Sequence, residues 1–446
     1  MSINTGTSMV CDSTPTTTAN VRSAHWREIF AASIGNALEF YDLLIYGYFA
    51  IIIGQLFFPV HDATTSLLLS MGSFGVSFLM RPLGSVVLGS YADRVGRKAS
   101  LTLSIGLMML GTAMTVFVPT YQQIGIMSPI IIIIARMTQG FSSGGEFGAA
   151  TAFMVEHADE KRRGFFASWQ MSTLGLATVL AAGISALLSS CLSAVQISEW
   201  GWRVAFGVGL LIGPVGLYIR RYTDETTDFK QLGSEQKSKS PLREVFANDW
   251  HNMLLGGGVV AAATSFNYVH KLYMPTYAVA QLHLSATSSF VGALLTGLVL
   301  MVLAPLVGAL ADRYGYVKIM LAALVLIAVT TYPLFVLLNT WPTVTTFLLV
   351  QALVGLLIAA SLGALPALLA DIFPTHTRGT GLSISYNFSV TLFGGFAPLI
   401  VTWLIGVTHS KLAPSFYVMA TAALSLVAIV ALARRARATR ELIIAP

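Results

Sequence analysis

Charge is what this sequence has least of. Only 10% of its 446 residues are Asp, Glu, Lys or Arg, against roughly 25% in a soluble domain. Hydrophobic residues make up 55% and the mean hydropathy is +0.73. No water-soluble fold covers that much apolar surface, so the chain reads as a polytopic membrane protein. Cysteine is nearly absent. Cys11 and Cys191 fall on opposite sides of the membrane in the topology below, which excludes a disulfide between them. No cluster has metal-ligand spacing and no Gly-x-x-x-x-Gly-Lys phosphate loop is present, so neither a metal centre nor ATP as energy source is expected. Without a metal or nucleophile constellation, an enzyme is not expected either. The net charge of +6 does not point to nucleic acid, because the basic residues sit in short loops.

What is present is a series of twelve apolar stretches. They run roughly over 28–57, 66–90, 100–118, 124–155, 165–190, 203–221, 251–280, 286–310, 319–338, 343–370, 379–407 and 412–433, each near the 20 residues a helix needs to span a bilayer. The expected fold is therefore an all-α membrane protein of twelve transmembrane helices in two six-helix halves. Its parts are a polar, Ser- and Thr-rich tail (1–24), an N-terminal bundle (25–221), a charged linker (222–249), a C-terminal bundle (250–434) and a short tail (435–446). The first apolar run is long enough to stay in the bilayer, so the N-terminus does not read as a cleaved signal peptide. The Lys and Arg distribution places both termini and the linker in the cytoplasm. Outside fall Arg203 and Lys411, within the membrane Arg81, Arg136 and Lys271, and the rest of the 26 lie inside.

The two halves share polar punctuation. Gly89-Ser-Tyr-Ala-Asp93-Arg94-Val-Gly96-Arg97-Lys98 closes one apolar stretch, and Gly308-Ala-Leu-Ala-Asp312-Arg313-Tyr-Gly315-Tyr-Val-Lys318 closes another about half the chain later. Glu156 with Arg163-Gly164 and Asp371 with Arg378-Gly379 form a second such pair. A duplicated membrane bundle belongs to transporters far more often than to enzymes. One pattern misleads: Gly140-Phe-Ser142-Ser-Gly144 fits the hydrolase elbow Gly-x-Ser-x-Gly. It lies inside an apolar helix, and Gly140, Gly144 and Gly148 read better as a small-residue stripe for close helix packing.

Several segments resemble the major facilitator superfamily, and within it the metabolite–proton symporters. They are Gly35-Asn-Ala-Leu-Glu39-Phe-Tyr-Asp42, Phe78-Leu-Met-Arg81-Pro82-Leu-Gly84, Arg136-Met-Thr-Gln139-Gly140-Phe-Ser-Ser-Gly144-Gly145-Glu146 and Ser198-Glu-Trp-Gly-Trp202-Arg203, with the Asp93–Lys98 loop. The resemblance is closest to citrate and tricarballylate carriers, through Phe78–Lys98 and Pro119-Thr-Tyr-Gln-Gln-Ile-Gly125. The chain departs from them at Gly144-Gly145, after Ser168-Trp169-Gln170, and at His270-Lys271. The resemblance implies a monomeric secondary carrier in the cell inner membrane. Its cargo would be a small organic acid, a di- or tricarboxylate such as citrate, taken up with protons and without any other cofactor. The alternative is a symporter of an aromatic acid or of a zwitterionic osmolyte such as proline or betaine. A non-transporting sensor stands behind both.

Six ionisable residues besides histidine lie inside the apolar stretches: Glu39, Asp42, Arg81, Arg136, Glu146 and Lys271. A charge at mid-bilayer costs roughly 2.5–3.5 kcal/mol even on lenient scales, so each needs a partner or a function. At a rise of about 1.5 Å per residue, Asp42, Arg81 and Glu146 fall in the middle layer. Asp42, Glu39 and Glu146 are the proton-coupling candidates, with a permanent pair to Arg81 as the structural alternative for the first-helix carboxylates. Arg136, with Gln139 one turn along, is the first choice for holding an anion, because a guanidinium presents a planar fork to a carboxylate. Its alternative is a structural pair with a first-helix carboxylate. Lys271 is a second anchor, in a helix that also carries Tyr268; adjacent His270 and Lys271 point about 100° apart, so one of them faces the cavity. Gln170, Tyr386 and Asn387 are further substrate hydrogen-bonding candidates. Arg81 is assigned a structural pair. Asp93, Arg94, Arg97, Glu156, Arg163, Asp312, Arg313, Asp371 and Arg378 form the expected gate network. In it the family resemblance sets Asp93 against the positive N-terminal end of a helix near Arg378-Gly379, a charge–dipole latch.

Overall fold

A computed structural model of the chain describes residues 36–444, apart from 38, 61, 96, 145–146, 148–150, 152–153, 156–157, 222–246, 248 and 374–377. The expected tail 1–24, most of the linker 222–249, Glu146, Glu156, and the side chains of Asp93, Arg94, Arg97 and Arg378 lie outside what is described.

Twelve helical segments follow one another, with no strand among the described residues. In the first half they are α1 (Glu39–Tyr48 and Ala50–Phe57), α2 (Ala63–Val95), α3 (Arg97–Phe117), α4 (Met127–Ser143), α5 (Arg163–Cys191) and α6 (Trp202–Arg221). The second half holds α7 (Trp250–Asn267, continuing to Ala280), α8 (Ala286–Tyr314), α9 (Tyr316–Thr340), α10 (Val344–Ile372), α11 (Arg378–Ser389, continuing to Thr408) and α12 (Ala413–Ile444). Helix α12 thus runs past residue 434, where the sequence reading begins a tail. Seven of these helices are each long and apolar enough to cross a bilayer, eight with the two pieces of α1 counted together.

The packing repeats as the sequence does. Helix α3 lies on α4 and α6, as α9 lies on α10 and α12; α2 packs on α4, as α8 packs on α10. The halves meet along two equivalent seams, α5 against α8 and α2 against α11. Close approach inside the first half depends on glycine. A Cβ at Gly140 would overlap the carbonyl oxygen of Ser77, and one at Gly144 that of Arg81. The stripe read from the sequence is therefore the α2–α4 contact, where small residues let backbones touch; Gly148 is outside the described residues.

Three breaks shape the interior. Helix α1 bends by 70° between its two pieces, and a Cβ at Gly47, beside the bend, would collide with Leu272 of α7. In α7 the turn Tyr268–Tyr273 is π-helical, and in α11 so is Val390–Gly395. Each is followed by a proline, Pro275 and Pro398, which has no N–H to offer the carbonyl a turn back. Such π turns concentrate at functional sites. At the surface, Asp62 caps α2: Thr65 donates its hydroxyl and amide N–H to the carboxylate, and Thr64 its amide. These hydrogen bonds hold the Asp62 carboxyl below its ordinary range. Arg203 donates to the carbonyls of Val116 and Val118 at the end of α3, at 3.0 and 2.9 Å.

The α2–α4 contact yields a direct expectation. Gly140→Ala forces two backbones apart and destabilises the protein by about 1–3 kcal/mol, visible as a lower thermal midpoint in detergent. Gly72→Ala, with nothing within 4 Å of the added Cβ, leaves the midpoint unchanged or raises it.

Candidate functional site

The first half buries its charges in two guanidinium–carboxylate pairs. Glu39 and Asp42 are three residues apart and so share a face of α1. Arg81 of α2 donates from Nη2 to Glu39 Oε1 at 2.7 Å, and its guanidinium carbon sits 4.4 Å from the centre of the Phe78 ring. Arg136 of α4 approaches Asp42 Oδ2 at 3.2 Å. Asp42 has both oxygens engaged: Thr112 donates to Oδ1 at 2.9 Å and Gln139 to Oδ2 at 2.6 Å. Arg136 also donates to Thr115 Oγ1 at 3.2 Å, and the Tyr46 ring lies 4.3 Å from its guanidinium carbon. Arg136 is fully buried. Among the described residues its Nε and Nη1 find no hydrogen-bond acceptor, and Arg81 Nε finds none either. Arg136 and Gln139 therefore sit with Asp42 inside the first half. Thr112 and Thr115, which complete this cluster, were not singled out from the sequence; the available signal was two hydroxyls three residues apart in an otherwise apolar helix.

The second half presents a different picture. Between α1 and α7 lies a cavity with room for about one water molecule, lined by Phe40, Leu43 and Leu44 of α1 and by Asn267, Tyr268, Lys271 and Leu272 of α7. Lys271 is 2% exposed, and among the described residues its Nζ has no hydrogen-bond acceptor. The Phe40 ring centre, 5.9 Å away, is its nearest π partner. Asn267 Oδ1 and Tyr268 OH are likewise buried without partners. Orphaned buried polar atoms are rare enough that each asks for an explanation, and here three of them surround one cavity between the halves. Adjacent His270 turns away from it: its Nδ1 lies 3.1 Å from the Phe266 carbonyl oxygen and its ring faces Phe335 at 5.4 Å.

The remaining candidates are bridges. The Tyr386 ring stacks on Phe147 across the halves at 3.4 Å between centres, and Asn387 Nδ2 donates to the Gly144 carbonyl at 3.1 Å. Gln170 engages both ends of its amide on the residues that follow α4, accepting from Thr151 Oγ1 at 2.7 Å and donating to the Phe147 carbonyl at 3.5 Å. The Tyr268 ring meets Phe78 edge-on at 5.6 Å.

At the end of the bundle where α8 turns into α9, Asp312 closes one seam. It accepts the backbone N–H groups of Gly164 and Phe165, at 2.6 and 2.9 Å, and the Tyr316 hydroxyl at 2.7 Å. A carboxylate thus caps the positive N-terminal end of α5, which belongs to the other half. Gly164 and Gly308 are so close that a Cβ at either would collide with the other's carbonyl. Further along the same seam Ser172 donates to the Met301 carbonyl, and Thr287 to Ser189 near the opposite end. Arg313 lies over the Tyr314 ring; Arg163 and Asp371 engage neighbours of their own. The equivalent contact of Asp93 with the start of α11 falls on side chains outside the described set.

The two repeated halves, the seams and the buried charges can be set beside known proteins. The model of the Major Facilitator Superfamily matches residues 32–304 and 267–444. The chain is 34% identical over 410 residues to a citrate-proton symporter of Klebsiella pneumoniae, covering 91% of each chain. It is 31% identical over 421 residues to a proline/betaine transporter of Escherichia coli strain K12, covering 90% of this chain and 82% of that one. A crystal structure of a D-xylose-proton symporter superposes with a TM-score of 0.73 at 15% identity, covering 91% and 96%, which speaks to the fold alone. With its repeated bundles, its cross-seam contacts and matches spanning nearly its whole described length, the chain belongs to the Major Facilitator Superfamily and is a membrane transporter, not an enzyme.

Proposed function

We propose that this transporter takes up a small organic anion together with protons across the cell inner membrane, working as a monomer with both termini in the cytoplasm. The observation that carries the reading is Lys271, whose Nζ is buried between the halves with no hydrogen-bond acceptor among the described residues. A carboxylate placed in that cavity would supply the missing acceptor, while Asn267 and Tyr268 offer further polar contacts. Binding between the halves is the arrangement that lets them rock about a fixed site. The relatives' cargoes, citrate in one group and proline or betaine in the other, frame the choice. A lysine in a cavity lined by no carboxylate favours an anion, a di- or tricarboxylate such as citrate or an aromatic acid, over a zwitterion whose cationic head finds no counter-charge there. Proton coupling agrees with the symporters among the relatives. Asp42 and Glu39, the coupling carboxylates expected from the sequence, are paired with Arg136 and Arg81.

Gating follows from the seam. In this reading the Asp312 end is cytoplasmic, and the capped α5 terminus holds that side closed until substrate binding repays its opening. Asp93 and the start of α11 are the proposed symmetric counterpart, with Glu156, Arg163, Asp371 and Arg378 around them.

Uptake of labelled citrate, succinate, benzoate and glycine betaine into proteoliposomes under an inward proton gradient tests the cargo. An acid should accumulate, a protonophore should abolish the accumulation, and Lys271→Gln should cut uptake at least roughly tenfold, the loss of one charge-assisted contact. Accumulation of glycine betaine alone, or unchanged uptake by Lys271→Gln, would refute the reading. For the gate, Asp312→Asn removes a charge–dipole contact worth up to about 2 kcal/mol. With Cys11 and Cys191 replaced by serine, a cysteine at buried Ser168 should then react faster with a membrane-impermeant maleimide supplied from the cytoplasmic side. An unaltered labelling rate would mean that the contact does not hold the seam.

A further inference from the structure

The coupling proton needs a seat. We propose that it rides on Lys271 itself, so that the amine is neutral in the empty cavity and takes up a proton only together with the substrate carboxylate. This rests on the reading above, that an anion binds at Lys271.

The argument begins from what surrounds the group. The cavity wall facing Lys271 is Phe40, Leu43 and Leu44 from α1 with Asn267 and Tyr268 from its own helix, and none of these carries a charge. Among the described residues the charged groups on the helices around it, with His270 and Tyr386, have other engagements, while the Tyr48 hydroxyl of α1 has no partner. Glu39 is held by Arg81 and Asp42 by Arg136, Thr112 and Gln139. His270 points to α9 and α10, against Phe335, with Gln351 donating to its carbonyl. Tyr386 of α11 lies flat on Phe147. An ammonium taken out of water without a counter-charge costs several kcal/mol. A carboxylate entering the cavity removes most of that cost, and the proton in turn removes the cost of burying the carboxylate. Each therefore raises the other's affinity, and this reciprocity is symport expressed as a binding equilibrium.

The proton balance closes. On the open side an N–H bond forms at Nζ with a proton from water as the anion binds. The ammonium–carboxylate pair is neutral while the halves rock past it. On the far side the anion leaves and the same N–H bond gives its proton back to water. The two guanidinium pairs stay intact throughout and act as the fixed framework of the first half.

The test separates binding from coupling at one atom. The probes are labelled citrate, succinate and benzoate, each assayed by counterflow without a gradient and by accumulation under an inward proton gradient. Lys271→Arg keeps a cation that does not release its proton. It should retain counterflow within about threefold of wild type and lose protonophore-sensitive accumulation, whose ratio falls to about one. Protonophore-sensitive accumulation by Lys271→Arg would overturn the proposal. If the guanidinium proves too large and both assays fail, Lys271→Cys in the cysteine-free background decides. Alkylation to an aminoethyl thioether restores a titratable amine and should restore accumulation, while a trimethylammonium adduct, a fixed charge, should restore counterflow at most. Accumulation with the fixed charge, or none with the restored amine, overturns the inference. Failure of wild type to carry any of the three acids would instead overturn the anion reading beneath it.

Discussion

Everything in the interior follows from the expense of burying charge where no water can reach it. The first half meets that constraint with closed pairs. Glu39 with Arg81, and Asp42 with Arg136, tie α1 to α2 and α4, and Thr112, Thr115 and Gln139 add hydrogen bonds to Asp42 and Arg136. Removing one member of such a pair leaves a bare charge and costs about 3–5 kcal/mol. These clusters are thus a rigid polar spine. The second half leaves its one described mid-membrane cation, Lys271, facing a cavity with no acceptor. The first half gives its described mid-membrane charges opposite partners and the second leaves Lys271 without one, and that asymmetry is what turns a bundle into a binding site.

The duplication explains how the site is enclosed. Because the two halves share one packing plan, their contacts come as symmetric seams, α2 with α11 and α5 with α8. The α5–α8 seam brings backbone against backbone at Gly164 and Gly308, with Ser172 donating to the Met301 carbonyl, while α2–α11 sets Gly75 and Gly395 against the Phe396 and Phe78 side chains, with Thr391 donating to the Phe78 carbonyl. Such contacts are short and directional, so they hold in register and release together. The bend of α1 and the π turn of α7 meet beside the cavity, at Gly47 and Leu272. Helix breaks at this depth are tolerated where neighbouring helices cover the freed backbone, and they leave this part of the wall the best able to change shape.

The latch shows how a repeat carries one physical idea into both halves. The sequence sets Asp93 against the start of α11, while the described contact is its counterpart, Asp312 on the N–H groups of Gly164 and Phe165. The punctuation that marks one marks the other, so the physical idea carries across the pseudo-symmetry even where only one copy is described.

Much of this protein was legible in one dimension. Twelve apolar runs, few charges and a Lys and Arg bias mark a polytopic helical bundle, because a bilayer demands about 20 apolar residues per crossing. Repeated motifs mark two halves. The mid-membrane Glu39, Asp42, Arg81, Arg136 and Lys271 stand out because charges there are costly. Which charge pairs with which was not legible. In sequence Arg136 is the first choice for an anion and Lys271 the second anchor, and only tertiary packing puts Arg136 beneath Tyr46 against Asp42 and leaves Lys271 facing the cavity. Likewise Gln170 and Asn387 carry the same amide, yet Gln170 is engaged at both ends with the residues that follow α4 while Asn387 keeps an orphaned Oδ1. Composition sets the number of charges the membrane must accommodate. The angular position of each side chain around its helix, and the neighbour that angle meets, decides which of them are left to act.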